Sequence, residues 1–146
     1  MTTRPTSVTC ELQLRLLVQG ASSLPVRAAL NYDVDDPYAV QVGFHTGSPG
    51  GSDVVEWTFA RQLLGEGVHT ASGEGDVQVW PSASGGVAVV CLSLSAPSGR
   101  ALFEVPLAEL VEFLARTYEA VPTGTESAHL DVEVAFARLL GVEPEA

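Results

Sequence analysis

The stretch between residues 33 and 45 carries side chains that could bind a metal ion or move a proton. Asp33, Asp35 and Asp36 stand within four positions, and His45 follows nine residues after the last of them. Carboxylate and imidazole groups that meet in one place serve as ligands of cations or as general acids and bases. Three interpretations are therefore open: a metal site, a catalytic acid–base cluster, or a turn between two strands.

The spacing of these aspartates does not match a calcium-binding loop. If Asp33 and Asp35 were the first and third ligands, the fifth position would be Pro37, whose side chain has no oxygen. The sixth position would be Tyr38 instead of glycine, and the twelfth would be Phe44 instead of glutamate. An Asp–Pro pair favours a turn, because the residue before proline is held out of the helical region. We predict a turn with exposed aspartates of ordinary acidity, and a metal-dependent enzyme built on this stretch is the rival.

The remaining histidines and both cysteines have no partners at catalytic or zinc-binding spacing. His69 and His129 lie in unrelated contexts, and the paired His and Cys motifs of zinc sites are absent from the sequence. Phosphate-binding, dinucleotide-binding and nucleophile-elbow motifs are absent too. Cys10 and Cys91 each lie in an apolar or alternating run, so we predict buried free thiols, with a disulfide as the alternative. The sequence thus predicts no catalytic, cofactor-binding or metal-binding residue.

Length and charge narrow the class of protein. A chain of 146 residues with 46% hydrophobic residues predicts one globular domain. We place that domain at residues 8–141, between a flexible N-terminus at 1–7 and a tail at 142–146. The net charge of −11 disfavours nucleic acid and anionic membranes as partners, because both attract basic residues. No apolar run is long enough to cross a bilayer and no signal peptide is recognisable, so we expect a cytoplasmic protein.

The hydrophobic pattern of the first half predicts four strands and a short helix. Residues 8–19 alternate strongly, and further strands are predicted at 24–32, 38–46 and 54–59. In the third strand, Tyr38, Val40, Val42 and Phe44 are predicted to share one face. The period then changes over residues 60–67, which predicts a helix ending at a glycine.

The second half repeats this order with a longer helix. Strands are predicted at 76–80, 87–95 and 101–105. Pro81 is predicted to end the first, and the second is apolar enough for burial on both faces. A helix follows Pro106, and another is predicted at 132–140. The apolar stripe predicted for the first of these helices comprises Leu107, Leu110, Val111, Leu114 and Tyr118. The fold class is α+β, and Trp57 and Trp80 are predicted to be core residues instead of exposed anchors for a partner.

Several longer segments resemble one protein family. The segments are C-E-L-Q-L-R-L-L-V, L-P-V-R-A-A-L-N-Y-D-V-D-D-P-Y-A-V-Q-V-G-F-H-T-G, V-E-W-T-F-A-R-Q-L-L-G-E-G-V-H, G-D-V-Q-V-W-P-S, V-V-C-L-S-L-S-A-P-S-G-R-A-L-F-E-V-P and V-P-T-G-T-E. Their order and spacing, over nearly all of residues 8–140, resemble the SsgA-like family of filamentous actinobacteria. No binding motif of that family maps onto individual residues here, so the partner-binding residues are left unassigned.

The resemblance implies both a fold and a function. The implied fold is similar to the whirly proteins, with two antiparallel four-stranded sheets and packed helices assembled as a homotrimer. The implied function is non-catalytic: a sporulation-specific cell division protein that marks septum sites and helps recruit or organise the tubulin-like FtsZ, together with a sister SsgA-like protein. The alternative is a single-stranded nucleic-acid-binding protein, which the same fold suggests and the acidic charge disfavours.

Overall fold

The computed structural model describes residues 7–18, 23–45, 54–73, 75–97 and 99–128. The described chain forms seven strands, two α-helices and one 3-10 turn. In chain order they are β1 (Ser7–Leu16), β2 (Leu24–Asp33), β3 (Ala39–His45), β4 (Val54–Ala60), α1 (Arg61–Gly67), β5 (Val77–Ser84), β6 (Val87–Ala96), β7 (Gly99–Pro106), α2 (Leu107–Ala120) and the 3-10 turn Glu126–Ala128.

All seven strands belong to one antiparallel sheet with the order β4-β3-β2-β1-β7-β6-β5. The expectation of two four-stranded sheets was therefore wrong, for two reasons. The C-terminal end of β1 pairs on its second edge with β7, with Arg15 opposite Glu104 and Leu16 opposite Phe103, which joins the two meanders. The described chain between α1 and β5 makes one isolated bridge, from Ser72 to Val79, instead of an eighth strand.

The sheet is strongly curved. Phe44 on β3 and Phe103 on β7 stack with their ring centroids 4.7 Å apart, although β2 and β1 lie between those strands. In a flat sheet the same positions would be more than about 14 Å apart, because three strand spacings of about 4.8 Å separate them and the register adds an offset along the strands. The concave face therefore closes around the core, and α2 packs against it through β1, β6 and β7.

The burial of the strands confirms the predicted alternation. In β1, Val8, Leu12 and Leu14 are buried and the residues between them are exposed or half-buried. Residues 89–94 of β6 are buried without interruption, as predicted for a strand covered on both faces, but Val87 and Ala88 at its start are exposed, contrary to the prediction. Apolar burial of this extent is the main favourable term in folding.

Four local predictions differ from the structure. β5 continues through Pro81, which an edge strand tolerates because the missing N–H faces away from the ladder. Tyr38 is 49% exposed, since it lies in the turn before β3. The stripe of α2 is rotated, so that Phe113 lies in the core cluster and Val111 is 43% exposed. β1 ends at Leu16, before residue 19.

Predictions for the ends of the chain lie outside the described residues. These are the helix at 132–140, His129, the flexible N-terminus at 1–7 except for its last residue, and the tail at 142–146.

Candidate functional site

The aspartate-rich stretch forms the connection between β2 and β3, as the turn hypothesis predicted. The N–H of Asp36 donates to the carbonyl of Asp33 at 3.0 Å, and the N–H of Ala39 donates to the carbonyl of Asp36 at 3.3 Å. The N–H of Asp35 donates to the Asp33 carboxylate at 2.9 Å. Two consecutive turns held in this way reverse the chain and place it in register for β3.

The aspartates are not uniformly exposed. Asp35 is exposed, but Asp36 is only 5% exposed and Pro37 is fully buried. The expectation of solvated aspartates was therefore wrong for Asp36, because the turn packs into the protein beside Tyr32. The hydroxyl of Tyr32 donates to the carbonyl of Pro37 at 2.9 Å, which fixes the turn against β2.

The histidines do not join the aspartates. His45 is exposed at the far end of β3 from the turn, about 20 Å away at about 3.3 Å per residue. His69 is exposed just after α1. Within the described ranges, no group of three or more His, Cys, Asp or Glu side chains is placed to hold a metal ion.

The polar centre of the described protein is Arg61, the first residue of α1. Its side chain is 2% exposed, and its backbone N–H donates to the carbonyl of Tyr38 at 2.7 Å. Its Nη1 donates to the carbonyls of Thr117 at 3.1 Å and Val121 at 2.8 Å, at the C-terminus of α2. Its Nη2 donates to Glu126 Oε2 at 3.0 Å. A cation is favoured there because the carbonyl end of a helix carries partial negative charge.

Two tyrosine rings complete the surroundings of this guanidinium. The Arg61 Cζ lies 5.1 Å from the ring centroid of Tyr32 and 4.4 Å from that of Tyr118, which are cation–π distances. Burial raises the pKa of Tyr32 to about 12, while the Arg61 charge opposes that rise. The pKa of Glu126 is lowered first by the hydrogen bond from its own backbone amide and then by the bond from the amide of Gly124. The Arg61 guanidinium lowers this pKa further.

We call these groups the Arg61 clamp: Arg61, Tyr32, Tyr118, Glu126 and the carbonyls at the end of α2. The clamp joins the β2–β3 turn, α1, α2 and the 3-10 turn, so its chemistry is positioning. No sequence motif singled out Arg61. The sequence did contain one signal, an arginine at the first position of the predicted helix. A positive charge there is disfavoured by the positive end of the helix dipole, so its presence implies a separate partner with negative charge.

The cysteines and tryptophans occupy structural positions. Both cysteines are free thiols; Cys91 is buried, as predicted, whereas Cys10 is half-buried. Burial raises the pKa of both thiols above the ordinary value. Trp57 is half-buried against the core, and its ring centroid lies 6.2 Å from that of Phe59 in a stacked arrangement. Trp80 is half-buried beside Cys91, on the opposite face of the sheet. The prediction that both tryptophans are core residues is thus correct for Trp57, which packs against the core, and wrong for Trp80.

Two concavities of the described surface have volumes of several hundred Å³. The first, which we call the apolar cleft, has a volume of about 380 Å³ and lies between β4 and the β6–β7 hairpin. Its lining comprises Leu16, Phe44, Val55, Trp57, Leu94, Ala96, Gly99, Arg100, Ala101 and Phe103. The second is a groove of about 440 Å³ on the outer face, where Arg15 and Glu104 are cross-strand neighbours of opposite charge.

Basic side chains are scattered over the described surface. The chain's seven basic residues are all arginines, and Arg61 is internal. The exposed ones, Arg15, Arg27, Arg100 and Arg116, lie on β1, β2, β7 and α2. Neither α-helix of the described chain has the length and apolarity needed to cross a membrane.

Fold and side chains together define a small acidic antiparallel-sheet protein whose buried polar centre joins several elements and whose surface carries an open apolar cleft. Comparison with known proteins gives the family. A family model described as "Streptomyces sporulation and cell division protein, SsgA" matches residues 26–126. The chain belongs to this SsgA family, as the resemblance predicted.

The similarity to individual relatives extends over nearly the whole chain. The sporulation-specific cell division protein SsgB of Frankia casuarinae is 54% identical over 145 residues, covering 99% of each chain. The SsgB of Streptomyces coelicolor is 54% identical over 135 residues, covering 92% of this chain and 96% of the relative.

Two solved structures have the same fold. A structure of SsgB, described with mutations that correlate to longitudinal cell division during sporulation of Streptomyces coelicolor, is 55% identical with a TM-score of 0.81. It covers 89% of this chain and is itself covered completely. An SsgA-like sporulation-specific cell division protein from Thermobifida fusca is 45% identical with a TM-score of 0.80, covering 95% of this chain and 99% of that one.

Proposed function

We propose that this protein acts in sporulation septation as a non-catalytic adaptor that marks septum sites and helps recruit or organise FtsZ. In this proposal it works with a sister SsgA-like protein at the division septum. The observation that carries the proposal is the near-full-length similarity to sporulation-specific cell division proteins, at 54% identity over 99% of each chain. The sequence segments quoted above resemble the same family.

Two structural observations support an adaptor. The polar groups that are buried together, in the Arg61 clamp, bond to backbone carbonyls and to one another, so they hold elements in place. The apolar cleft is an open surface of the kind that protein partners cover. A net charge of −11 keeps such a protein soluble and steers it towards partners with complementary surfaces.

Co-sedimentation with FtsZ tests the recruitment. Purified protein is mixed with FtsZ in GTP, which forms polymers, and with FtsZ in GDP as the matched control. We expect the protein in the pellet only with polymers, at a ratio that saturates with FtsZ concentration. Equal amounts in both pellets, from protein with a native circular dichroism spectrum, would contradict the recruitment of FtsZ.

The proposed assembly is a homotrimer. Light scattering after gel filtration is expected to give the mass of three 15.3 kDa chains at micromolar concentration. A mass of one chain under the same conditions would contradict the trimer.

The nucleic-acid-binding alternative finds little support in the described surface. Such proteins track a phosphate backbone with a continuous basic groove and stack bases on aromatic side chains. On the described surface, the exposed Arg15 and Arg27 lie on the adjacent strands β1 and β2, whereas Arg100 and Arg116 lie on β7 and α2, in a chain with 18 acidic residues. Binding of a poly-dT oligonucleotide that weakens steeply between 50 and 200 mM salt would restore this alternative.

A further inference from the structure

The two edges of the sheet are protected to different degrees. β5, at one edge, contains Pro81 and is bridged by Ser72, whose N–H and carbonyl both bond to Val79 at 2.8 and 2.9 Å. Proline and a covering segment are two ways by which proteins prevent further strands from pairing. The edge at β5 is therefore closed to another chain.

β4, at the other edge, has no such protection among the described residues. Its seven residues contain no proline and no basic residue, and the described chain adds no strand beyond it. Val54 and Val55 at its start are 43% and 46% exposed. An exposed apolar edge with unpaired backbone groups is a template for one more strand.

The apolar cleft lies directly beside this edge. Val55 and Trp57 point from β4 into the cleft, and the stacked pair of Phe44 and Phe103 contributes to its lining. A strand added next to β4 would lie about 4.8 Å away, with alternate side chains directed to the same face as Val55 and Trp57. Main-chain pairing and pocket filling would therefore occur together.

Arg100 gives the cleft its charge. Among the described residues it is the one charged side chain that lines the cleft, and its side-chain hydrogen bond there runs from Nε to Ser95 Oγ at 3.4 Å. A guanidinium fork facing an apolar cavity suits a carboxylate, which it can bind with two parallel bonds. The cleft thus matches a segment that combines apolar side chains with an acidic residue.

We propose that the free edge of β4 and the apolar cleft bind an extended segment of a partner protein by strand addition. The segment carries branched or aromatic side chains at alternate positions, which enter the cleft, and an aspartate or glutamate that pairs with Arg100. This inference goes beyond the proposed function, because it specifies a mode of recognition for any partner and does not require that partner to be FtsZ.

A second copy of this chain fits the site less well. If β4 of another copy paired with this edge, its cleft-facing side chains would be Val55, Trp57 and Phe59, which alternate on one face. Glu56, the only acidic residue of β4, lies on the opposite face and would not reach Arg100. Self-pairing through β4 would therefore leave Arg100 without a carboxylate, which a segment of a different protein can supply.

Selection from a displayed library of random twelve-residue peptides tests the proposal. The full chain is the target, and enriched peptides are made synthetically for measurement of the dissociation constant by fluorescence anisotropy. We expect enriched peptides to be free of proline in the pairing segment, apolar at alternate positions and acidic at one position. No enrichment above a target-free control would overturn the proposal.

Variants locate the binding. Trp57→Ala is expected to weaken the selected peptide by at least about tenfold, because half-buried aromatic anchors dominate such interfaces. Arg100→Glu, an exposed change that leaves the core intact, is expected to weaken acidic peptides about two- to fivefold and to enrich lysine-bearing peptides instead. Val87→Ala, at an exposed apolar residue of β6 remote from the cleft, is the matched control with unchanged affinity. Equal affinity for all variants would refute the site.

Methylation of the peptide backbone distinguishes strand addition from pocket filling. N-methylation at residues whose N–H faces β4 is expected to weaken binding at least about tenfold, because each methyl removes a ladder hydrogen bond and blocks close approach. N-methylation at the intervening residues is the control, with little effect. Equal loss in both series would mean that an apolar ligand fills the cleft without pairing, which would overturn the strand-addition mode.

Two further outcomes would also contradict a partner protein as the occupant. If Arg100→Glu changes the mass of the protein in solution, the cleft is a contact between copies. If the peptide binds only after residues 129–146 are removed, this chain covers the site itself. We expect neither: the mass stays constant and the full chain binds the peptide.

Discussion

Replacing Arg61 by methionine should destabilise the protein severely. Methionine keeps much of the apolar volume of the side chain and deletes its charge and donors. Glu126 and the carbonyls of Thr117 and Val121 each lose a hydrogen-bond donor. The carbonyl of Val121 then has no described partner, and Val121 is 0% exposed. The carbonyl of Thr117 keeps the bond from the N–H of Val121 at 2.9 Å.

The size of the effect follows from these contacts. An orphaned buried acceptor costs about 1–3 kcal/mol. Each cation–π contact of the guanidinium with Tyr32 or Tyr118 contributes about 0.5–2 kcal/mol. The desolvation of the charge is recovered and offsets part of the loss. We expect a decrease of about 3–4 kcal/mol in the free energy of unfolding, a large part of the roughly 5–15 kcal/mol available to a domain.

Urea unfolding followed by tryptophan fluorescence measures this decrease. With a slope of about 2 kcal/mol/M, the midpoint should fall by about 1.5–2 M at constant protein concentration. Arg61→Lys, which keeps a charge without the planar fork, should recover less than half of the loss. Arg27→Met, an exposed arginine on β2, is the matched control and should shift the midpoint by less than about 0.3 M. A shift below about 0.5 M for Arg61→Met would refute the clamp.

Three further predictions follow from local packing. Gly67→Ala places a Cβ against the side chain of Val79 and should destabilise by about 1–3 kcal/mol in urea unfolding; stabilisation, as helix propensity alone would give, would contradict this packing. Tyr32 has a folded-state pKa of about 12, above the value of 10.0 for the free side chain, so its contribution to stability is complete below pH 10 and is lost as pH rises towards 12. Tyr32→Phe should therefore flatten the fall of the urea midpoint between pH 10 and 12, and an unchanged pH profile would show that another group causes it. Cys10 should react with an aromatic disulfide reagent before Cys91, because Cys91 is only 6% exposed, and both should react more slowly than free cysteine; faster reaction of Cys91 would contradict its burial.

Much of the local structure could be predicted because it depends on neighbours in sequence. The alternation of β1 predicted which of its residues are buried, and the Asp–Pro pair before β3 predicted a turn. Pro106 marked the start of α2, where it is the N-cap residue. Each of these features is decided by the backbone preferences of a few adjacent residues or by one face meeting a core.

Other features could not be predicted because they depend on contacts between distant segments. The pairing of β1 with β7 joins residue 16 to residue 103, and no local pattern specifies it. The burial of Asp36 and the clamp of Arg61 depend on how α1, α2 and the turn meet in space. The apolar cleft likewise assembles side chains from β1, β3, β4, β6 and β7, so its lining could not be read from any one segment.

The short β1–β7 junction has a consequence for how the chain folds. Each meander pairs strands that follow one another closely, so each can form with a small loss of loop entropy. The junction closes the long loop between Leu16 and Phe103 through two residue pairs and one further bond, from the N–H of Leu17 to the carbonyl of Leu102 at 2.8 Å. Folding of the two meanders should therefore precede their union, and the rate of the final step should depend on that single seam.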